Sequence, residues 1–328
     1  MRHCLVTGYS GFIGSRITAA LLERGVSVRG LTRQSSGRPT TPGLDLLQAD
    51  LTSADSLQGC ASSIDTVIHA AGHAHVYGGN EGLHHQVTVA GTRHLLAEAV
   101  KSGVQRLVFI SSIKAMAAPG ETCVDESDTG APVDAYGLAR KQAEELVLAC
   151  GQQTGMHVSI LRPTLVYGPG CKGNLASLLR WIDKGRLPNL PDTGNRRSMV
   201  DVRDVVEATL RAATRAEANG RICILADTED YSTRRIVTAM REALGKPEPA
   251  LSMPAWLMAT LARCGDGYET LFRQPALYNS GMHTRLLGSA CYRSITVDSA
   301  LGFHPCYRLE DALPDMVNAY RHSNRSPG

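Results

Sequence analysis

Gly8, Gly11 and Gly14 recur three residues apart in Thr7-Gly8-Tyr9-Ser10-Gly11-Phe12-Ile13-Gly14, between a short apolar run and a helical pattern. Each glycine has a mechanical use. Gly8 permits a tight turn, Gly11 lets the backbone approach a pyrophosphate, and Gly14 lets helix and strand pack closely, with the helix N-terminus facing the anion. The strand–turn–helix context, with Ser10, Phe12 and Ile13 between the glycines, reads as a dinucleotide-binding loop rather than a glycine-rich turn. At the end of the second strand, an acidic residue would select NAD by accepting from the ribose hydroxyls. Leu31-Thr32-Arg33 offers none. Arg33, helped by Arg38, has the fork geometry that holds a 2′-phosphate, so NADP is favoured modestly over NAD. Asp50 and Leu51, after the third strand, are the candidates for the adenine end.

The elements that must position this loop are legible as alternation. Short β-branched runs at 4–7, 27–32, 46–49, 66–69, 106–111 and 157–161 alternate with helical patterns at 11–24, 82–102 and 135–150. That is the βαβ signature of an α/β, doubly wound parallel sheet with both faces covered. After Tyr167-Gly168-Pro169-Gly170 the alternation loosens and prolines interrupt it. The chain therefore reads as a dinucleotide-binding domain over 1–167 and a smaller, irregular substrate lobe over 168–328, with about 199–226 returning to the main sheet. Ligands of such sheets bind beyond the carboxyl ends of the strands, where cofactor and substrate would meet.

Composition excludes several classes. The 328 residues are 43% hydrophobic and 20% charged, with a net charge of +3, so neither disorder nor a fibrous class is indicated. The basic residues are scattered, which makes no case for nucleic acid or a membrane as partner. Nine cysteines show no CxxC and no paired spacing. They read as reduced thiols of a cytoplasmic protein, not as a disulfide frame or a zinc site. The first strand opens at residue 4, with no export signal before it. The most apolar stretch, 251–264, is too short to span a bilayer and reads as an amphipathic packing helix. His73, His75, His84 and His85 cluster in sequence, but no neighbouring Asp, Glu or Cys completes a ligand set, so no metal is expected.

Further motifs complete an ordered set: Ala70-Ala71-Gly72, Ile110-Ser111-Ser112, Asp134-Ala135-Tyr136-Gly137, and Arg162-Pro163-Thr164-Leu165-Val166-Tyr167-Gly168-Pro169-Gly170. With the glycine loop, they resemble an extended short-chain dehydrogenase/reductase of the nucleotide-sugar epimerase/dehydratase family, over nearly the whole chain. The resemblance implies that Tyr136 is the general acid/base on the sugar oxygen while a nicotinamide exchanges a hydride, and that Ser112 hydrogen-bonds the same oxygen. It likewise places Ala70, Ala71, Gly72, Ser111, Tyr136, Arg140 and Pro163 at the cofactor.

A phenol of ordinary pKa near ~10 needs a nearby cation to serve near neutrality. The family's YxxxK here reads Tyr136-Gly137-Leu138-Ala139-Arg140, with the lysine displaced to Lys141. The fourth residue onward lies about 40° from Tyr136 around a helix and the fifth about 140°, so Arg140 shares the tyrosine's face. Arginine supplies charge and hydrogen bonds but does not readily pass a proton. Thr88 stands where the family usually carries asparagine.

On the substrate side, Asn174 and Arg197 match by position a polar nucleotide contact and the arginine that binds the diphosphate, with Arg285 a further candidate. Ile113 and Lys114 follow Ser112, where a 4,6-dehydratase would need an acidic pair, so dehydration is disfavoured. The reading is an NAD(P)-dependent epimerase or ketoreductase acting at C4 of a UDP-hexose or UDP-N-acetylhexosamine. The alternatives are an NADPH-dependent reductase of a non-sugar ketone, or a cofactor-binding protein with weak or no catalysis. The resemblance implies a homodimer through the helices at 82–102 and 135–150.

Overall fold

The computed structural model describes residues 1–33, 41–72, 81–120, 122–249, 252–276 and 278–325. Arg38, His73 and His75 lie outside the described residues. In chain order the elements are β1 (His3–Thr7), α1 (Phe12–Glu23), β2 (Ser27–Thr32), β3 (Leu44–Gln48), β4 (Thr66–His69) and α2 (Glu81–His84). A π-helical turn (His85–Ala90) then leads into α3 (Gly91–Lys101). There follow β5 (Arg106–Ile110), α4 (Ala135–Thr154), β6 (His157–Pro163), β7 (Leu165–Tyr167), α5 (Asn174–Asp183), β8 (Met199–Asp201), α6 (Val202–Thr214) and β9 (Arg221–Leu225). The chain closes with α7 (Thr233–Leu244), α8 (Ala255–Phe272), α9 (Ser280–Leu287), α10 (Val297–Leu301) and α11 (Leu309–Arg325).

Seven strands form one parallel sheet in the order β3-β2-β1-β4-β5-β6-β9. Successive side chains of a strand point to opposite faces, and here both faces are buried, which is why the strands read as continuous apolar runs. Leu5, Val67, Leu107, Phe109 and Ile160 pack with Leu95 and Ala99 of α3 and Val147 of α4. Val6, Ile68, Val108, Ile110 and Leu161 pack with Ile17 and Leu21 of α1 and Val205 of α6 on the other side. Phe109 is fully buried, and a side chain so placed contributes about 1.5–3 kcal/mol.

The strand order reverses between β1 and β4, the switch point at which such sheets open a crevice. β7 and β8 pair in a separate small sheet, whereas β9 rejoins the main sheet beside β6. The C-terminal helices gather around another core, in which Leu175 and Leu179 of α5, Ile236 and Met240 of α7 and Leu313 of α11 surround Tyr167 and Tyr231.

Two expectations need correction. Cys123 and Cys291 are joined in a disulfide, 168 residues apart, so the thiols are not all reduced. The bridge follows from an isolated pairing of Val124 with Tyr292, where Val124 N–H donates to the Cys291 carbonyl at 3.1 Å and sets the two cysteines side by side. Spacing along the chain carries no trace of that. The apolar stretch at 251–264 forms a helix from Ala255, with Met258 and Ala262 buried and Leu257 and Ala259 half-buried, whereas Trp256, Leu261 and Cys264 are exposed. The helix expected over 82–102 is broken at His85–Ala90 by the π-helical turn. Among the described residues, no helix is long and apolar enough to cross a membrane.

Candidate active site

The glycine loop sits at the switch point, directly after β1. Gly8 has a left-handed backbone (φ +70°), and a Cβ there would strike the backbone of Ala70 and Ala71 after β4, at 2.8–2.9 Å. Only glycine satisfies both demands. Gly11 caps α1 in an extended conformation, and its N–H donates to the Gly8 carbonyl at 2.9 Å. A side chain on Gly14 would collide with that same carbonyl, so the first turn of α1 lies against the loop. Ser10 is exposed on the turn, and Phe12 and Ile13 are half-buried. The first turn of α1 carries no acidic residue. A side-chain-free approach to a helix N-terminus without carboxylates fits the pyrophosphate of a dinucleotide.

Behind the loop is a buried polar chain that no motif revealed. Thr7 Oγ1 is 2.7 Å from His69 Nδ1, and His69 Nε2 is 2.9 Å from Thr92 Oγ1. Thr7 also accepts from the Ala71 N–H at 3.1 Å, so the chain ties β1 to the Ala70-Ala71-Gly72 loop. Burial, with the charge of Arg140 second, lowers the His69 pKa to about 3, so its imidazole is neutral.

Arg33 is exposed at the end of β2. Asp50 is engaged locally, accepting from Thr52 N–H and Oγ1 at 2.9 Å each. The Thr52 backbone hydrogen bond is the largest cause of its lowered pKa, and Arg33 adds a smaller charge effect. Leu51 is buried, and a Cβ on Gly91 would press against it.

Helix α4 carries the candidate catalytic residues. Its N-cap Asp134 accepts from the Gly137 N–H at 2.7 Å. Gly137 lies so close to the Lys114 carbonyl that no side chain would fit there. This contact brings the start of α4 onto the turn after β5, where Ser112 accepts from the Lys114 N–H at 3.2 Å. Ser112 and Tyr136 are both half-buried.

Tyr136, Arg140 and Glu144 follow at four-residue spacing and share one face of α4. The Arg140 guanidinium carbon is 5.3 Å from the Tyr136 ring centroid and 5.7 Å from that of Phe109. Its Nη1 donates to the Ile110 carbonyl at 3.1 Å, and its fork lies against Gly72, where a Cβ would collide with it. Arg140 is 6% exposed, and its Nε has no hydrogen-bond partner among the described residues.

One turn further, Glu144 forms a buried pair with Arg162 on β6, at 2.9 Å to Nε and 2.6 Å to Nη2. Ser111, expected at the cofactor, donates its hydroxyl to Glu144 at 2.5 Å. Pro163 is buried at the end of β6. His84, missed as a site neighbour, stands edge-on to Tyr136 with ring centroids 5.6 Å apart. Thr88 is buried in the π-helical turn, where its carbonyl accepts from Thr92.

Asn174, Arg197 and Arg285, far apart in sequence, all line one cavity of about 500 Å³, whose wall also includes Leu165, two residues past Pro163 in the chain. Arg197 Nη1 donates to the carbonyls of Arg285 (2.6 Å) and Gly288 (3.0 Å) at the end of α9, so part of its fork is structural. Arg186 adds a third arginine that no motif marked, and among the described residues the lining includes no carboxylate. The rest of the wall is largely apolar, with Leu175, Trp181, Met258 and Leu261 among it.

A glycine turn at the switch point of a parallel sheet, with a serine, a tyrosine and a cation beyond the strand ends, defines an extended short-chain dehydrogenase/reductase. Residues 4–226 match the NAD dependent epimerase/dehydratase family, and the chain belongs to that family of NAD-dependent enzymes. It is 31% identical over 332 residues to the UDP-glucose 4-epimerase of Vibrio cholerae, covering 98% of this chain and 96% of that protein. It is 28% identical to a 3β-hydroxysteroid dehydrogenase/Δ5→4-isomerase of Mycobacterium tuberculosis, over 96% of this chain and 90% of that one. Among solved structures, the Thermus thermophilus UDP-glucose 4-epimerase in complex with NAD superposes with a TM-score of 0.76 at 25% identity, covering 97% and 99% of the two chains.

Proposed function

We propose that this enzyme is a C4 epimerase or C4 ketoreductase of a nucleotide-activated sugar, a UDP-hexose or UDP-N-acetylhexosamine. The observation that carries the reading is the buried guanidinium of Arg140, held between the Tyr136 ring and the backbone of Gly72. It supplies a fixed positive charge where a phenolic oxygen and a nicotinamide would flank one carbinol carbon. The bound cofactor would take or return the hydride at C4. Tyr136 would take the C4 hydroxyl proton as the C–H electrons leave, giving a C4 ketone, and return it on reduction. Ser112 would hydrogen-bond the same oxygen, and Arg140 would hold the phenolate and the ribose.

Arg33, exposed at the end of β2 where a carboxylate would select NAD, supports NADP as the preferred cofactor. Arg197, Arg285 and Asn174 are the substrate contacts, with the diphosphate assigned to the arginines because the cavity lining has no carboxylate. The similarity to UDP-glucose 4-epimerases supports the sugar. Turnover of a UDP-hexose without added nicotinamide selects the epimerase, whereas a requirement for NADPH selects the reductase. Mass spectrometry of ligands copurifying with the protein reads cofactor and substrate together.

The apolar wall of the cavity favours a second reading, a reductase of a non-sugar ketone, which the steroid dehydrogenase relative also supports. The arginines count against it, having no anion to meet. NADPH binding with no turnover on any nucleotide sugar would leave a binding protein of weak or no catalysis.

A further inference from the structure

Helix α8 presents an unusual face to solvent. Trp256 (69% exposed), Leu261 (45%), Tyr268 (43%), Leu271 (76%) and Phe272 (57%) are all on it. At 100° per residue they fall within an arc of about 160°, together with the half-buried Leu257 and with Thr260, Cys264 and Gly267, and with no charged residue. The acidic side chains of the helix are turned away and occupied. Asp266 accepts from Ser280 N–H and Oγ, and Glu269 accepts from Ala276 N–H and Asn279 Nδ2.

The face continues into the cavity mouth. Leu261 belongs both to the exposed stripe and to the cavity wall, which also includes Trp181 of α5, itself 36% exposed. The chain has two tryptophans, and both are on this surface. Cations border it: Arg263 on α8, Arg273 directly after it, and Lys184 and Arg186 in the turn that follows α5. All four are exposed and make no ion pair among the described residues.

An uncharged apolar stripe with aromatic side chains at both ends and unpaired cations at its margins has the composition of a helix lying in a membrane interface. We propose that α8 seats this protein on an anionic lipid bilayer, with the mouth of the arginine-lined cavity facing the lipid. The occupant is a bilayer rather than a second copy, because the expected twofold pairing uses the helices before and after β5, and the flanking cations would repel their own copies across a self-complementary interface. Anionic headgroups match them, each such cation strengthening attachment in a salt-sensitive way. The attachment does not depend on which reaction is assigned above, although Leu261, Trp181 and Arg186 also line the cavity.

The test is flotation of the full chain with vesicles of phosphatidylcholine and phosphatidylglycerol in equal parts, beside vesicles of phosphatidylcholine alone. The protein should float with the mixed vesicles, less with the neutral ones, and less again in high salt. Trp256→Ser/Leu271→Ser/Phe272→Ser, none of which lines the cavity, should weaken vesicle binding about tenfold or more while leaving cofactor binding unchanged. On the unaltered protein, tryptophan fluorescence should shift to the blue when mixed vesicles are added. Absence of both flotation and the fluorescence shift overturns the proposal. So does a triple variant that floats as well as the parent, or one that instead turns a dimer into a monomer by light scattering, which would assign the face to a second copy.

Discussion

Arg140 stands one helical turn beyond Tyr136, its guanidinium carbon 5.3 Å from the centre of the phenol ring, while its Nη1 donates to the Ile110 carbonyl at 3.1 Å. The tyrosine and its cation are therefore fixed to the end of β5 as a unit. General acid/base catalysis of this kind is worth about 10²–10⁴-fold, so Tyr136→Phe and Arg140→Ala should each lower kcat by that order. Arg140→Lys should recover much of the loss, because charge is kept at the same face. Steady-state kinetics on the substrate identified by copurification checks this, and an Arg140→Ala enzyme as fast as the parent would remove the role.

Gly14→Ala should abolish dinucleotide binding. The added methyl meets the Gly8 carbonyl, so either α1 moves away from the loop or the loop distorts. Gly120→Ala, where a Cβ meets nothing within 4 Å, is the matched control and should bind normally. Titration of NADPH fluorescence separates the two.

Arg197→Ala should raise KM for a nucleotide sugar by about tenfold or more with a smaller effect on kcat, since the proposed diphosphate contact would be made in ground and transition states alike. Part of the Arg197 fork holds the end of α9, so the measurement should be paired with thermal unfolding.

Stability should depend on pH in two opposed windows. Burial raises the Asp227 carboxyl from 3.8 to about 7, with Tyr167 and Tyr231 donating to it at 2.8 and 2.9 Å. Between those values the unfolded chain has released this proton and the folded chain has not. Stability present below about pH 4 is therefore lost as pH rises toward 7, at a cost of the order of 2–4 kcal/mol. For His69 the sign is reversed. Its folded value is about 3 against 6.5 unfolded, so its contribution is intact above 6.5 and lost as pH falls toward 3. Asp227→Asn should remove the first window and leave the second, as read from Tm against pH.

Reduction of Cys123–Cys291 should lower stability. Closing a 168-residue separation constrains the unfolded chain, and bridges of this kind contribute about 2–5 kcal/mol. A fall in Tm with dithiothreitol that Cys123→Ser reproduces and does not add to would establish it.

The local sequence determined the parts of this protein that obey short-range rules. The strand–glycine–helix run at 3–23 and the Tyr136/Arg140 spacing are set within a few residues, because turn sterics and helical period act over that range. The strand order and the crevice follow almost as directly, since parallel strands need crossovers of one hand. Asn174, Arg197 and Arg285 could be named one by one, but only the folded lobe brings them onto one wall and adds Arg186.

Long-range packing decided the rest. The Ser111 hydroxyl is engaged by Glu144, itself held by Arg162 from β6, a contact no local signal marks. Cys123 meets Cys291 through a bridge between segments that share no local signal. The stripe on α8 has the periodicity of a packing helix, and periodicity states only that one face differs from the other. Which face meets the protein is decided by what the fold supplies opposite it, and opposite Trp256, Leu271 and Phe272 it supplies none of the described core.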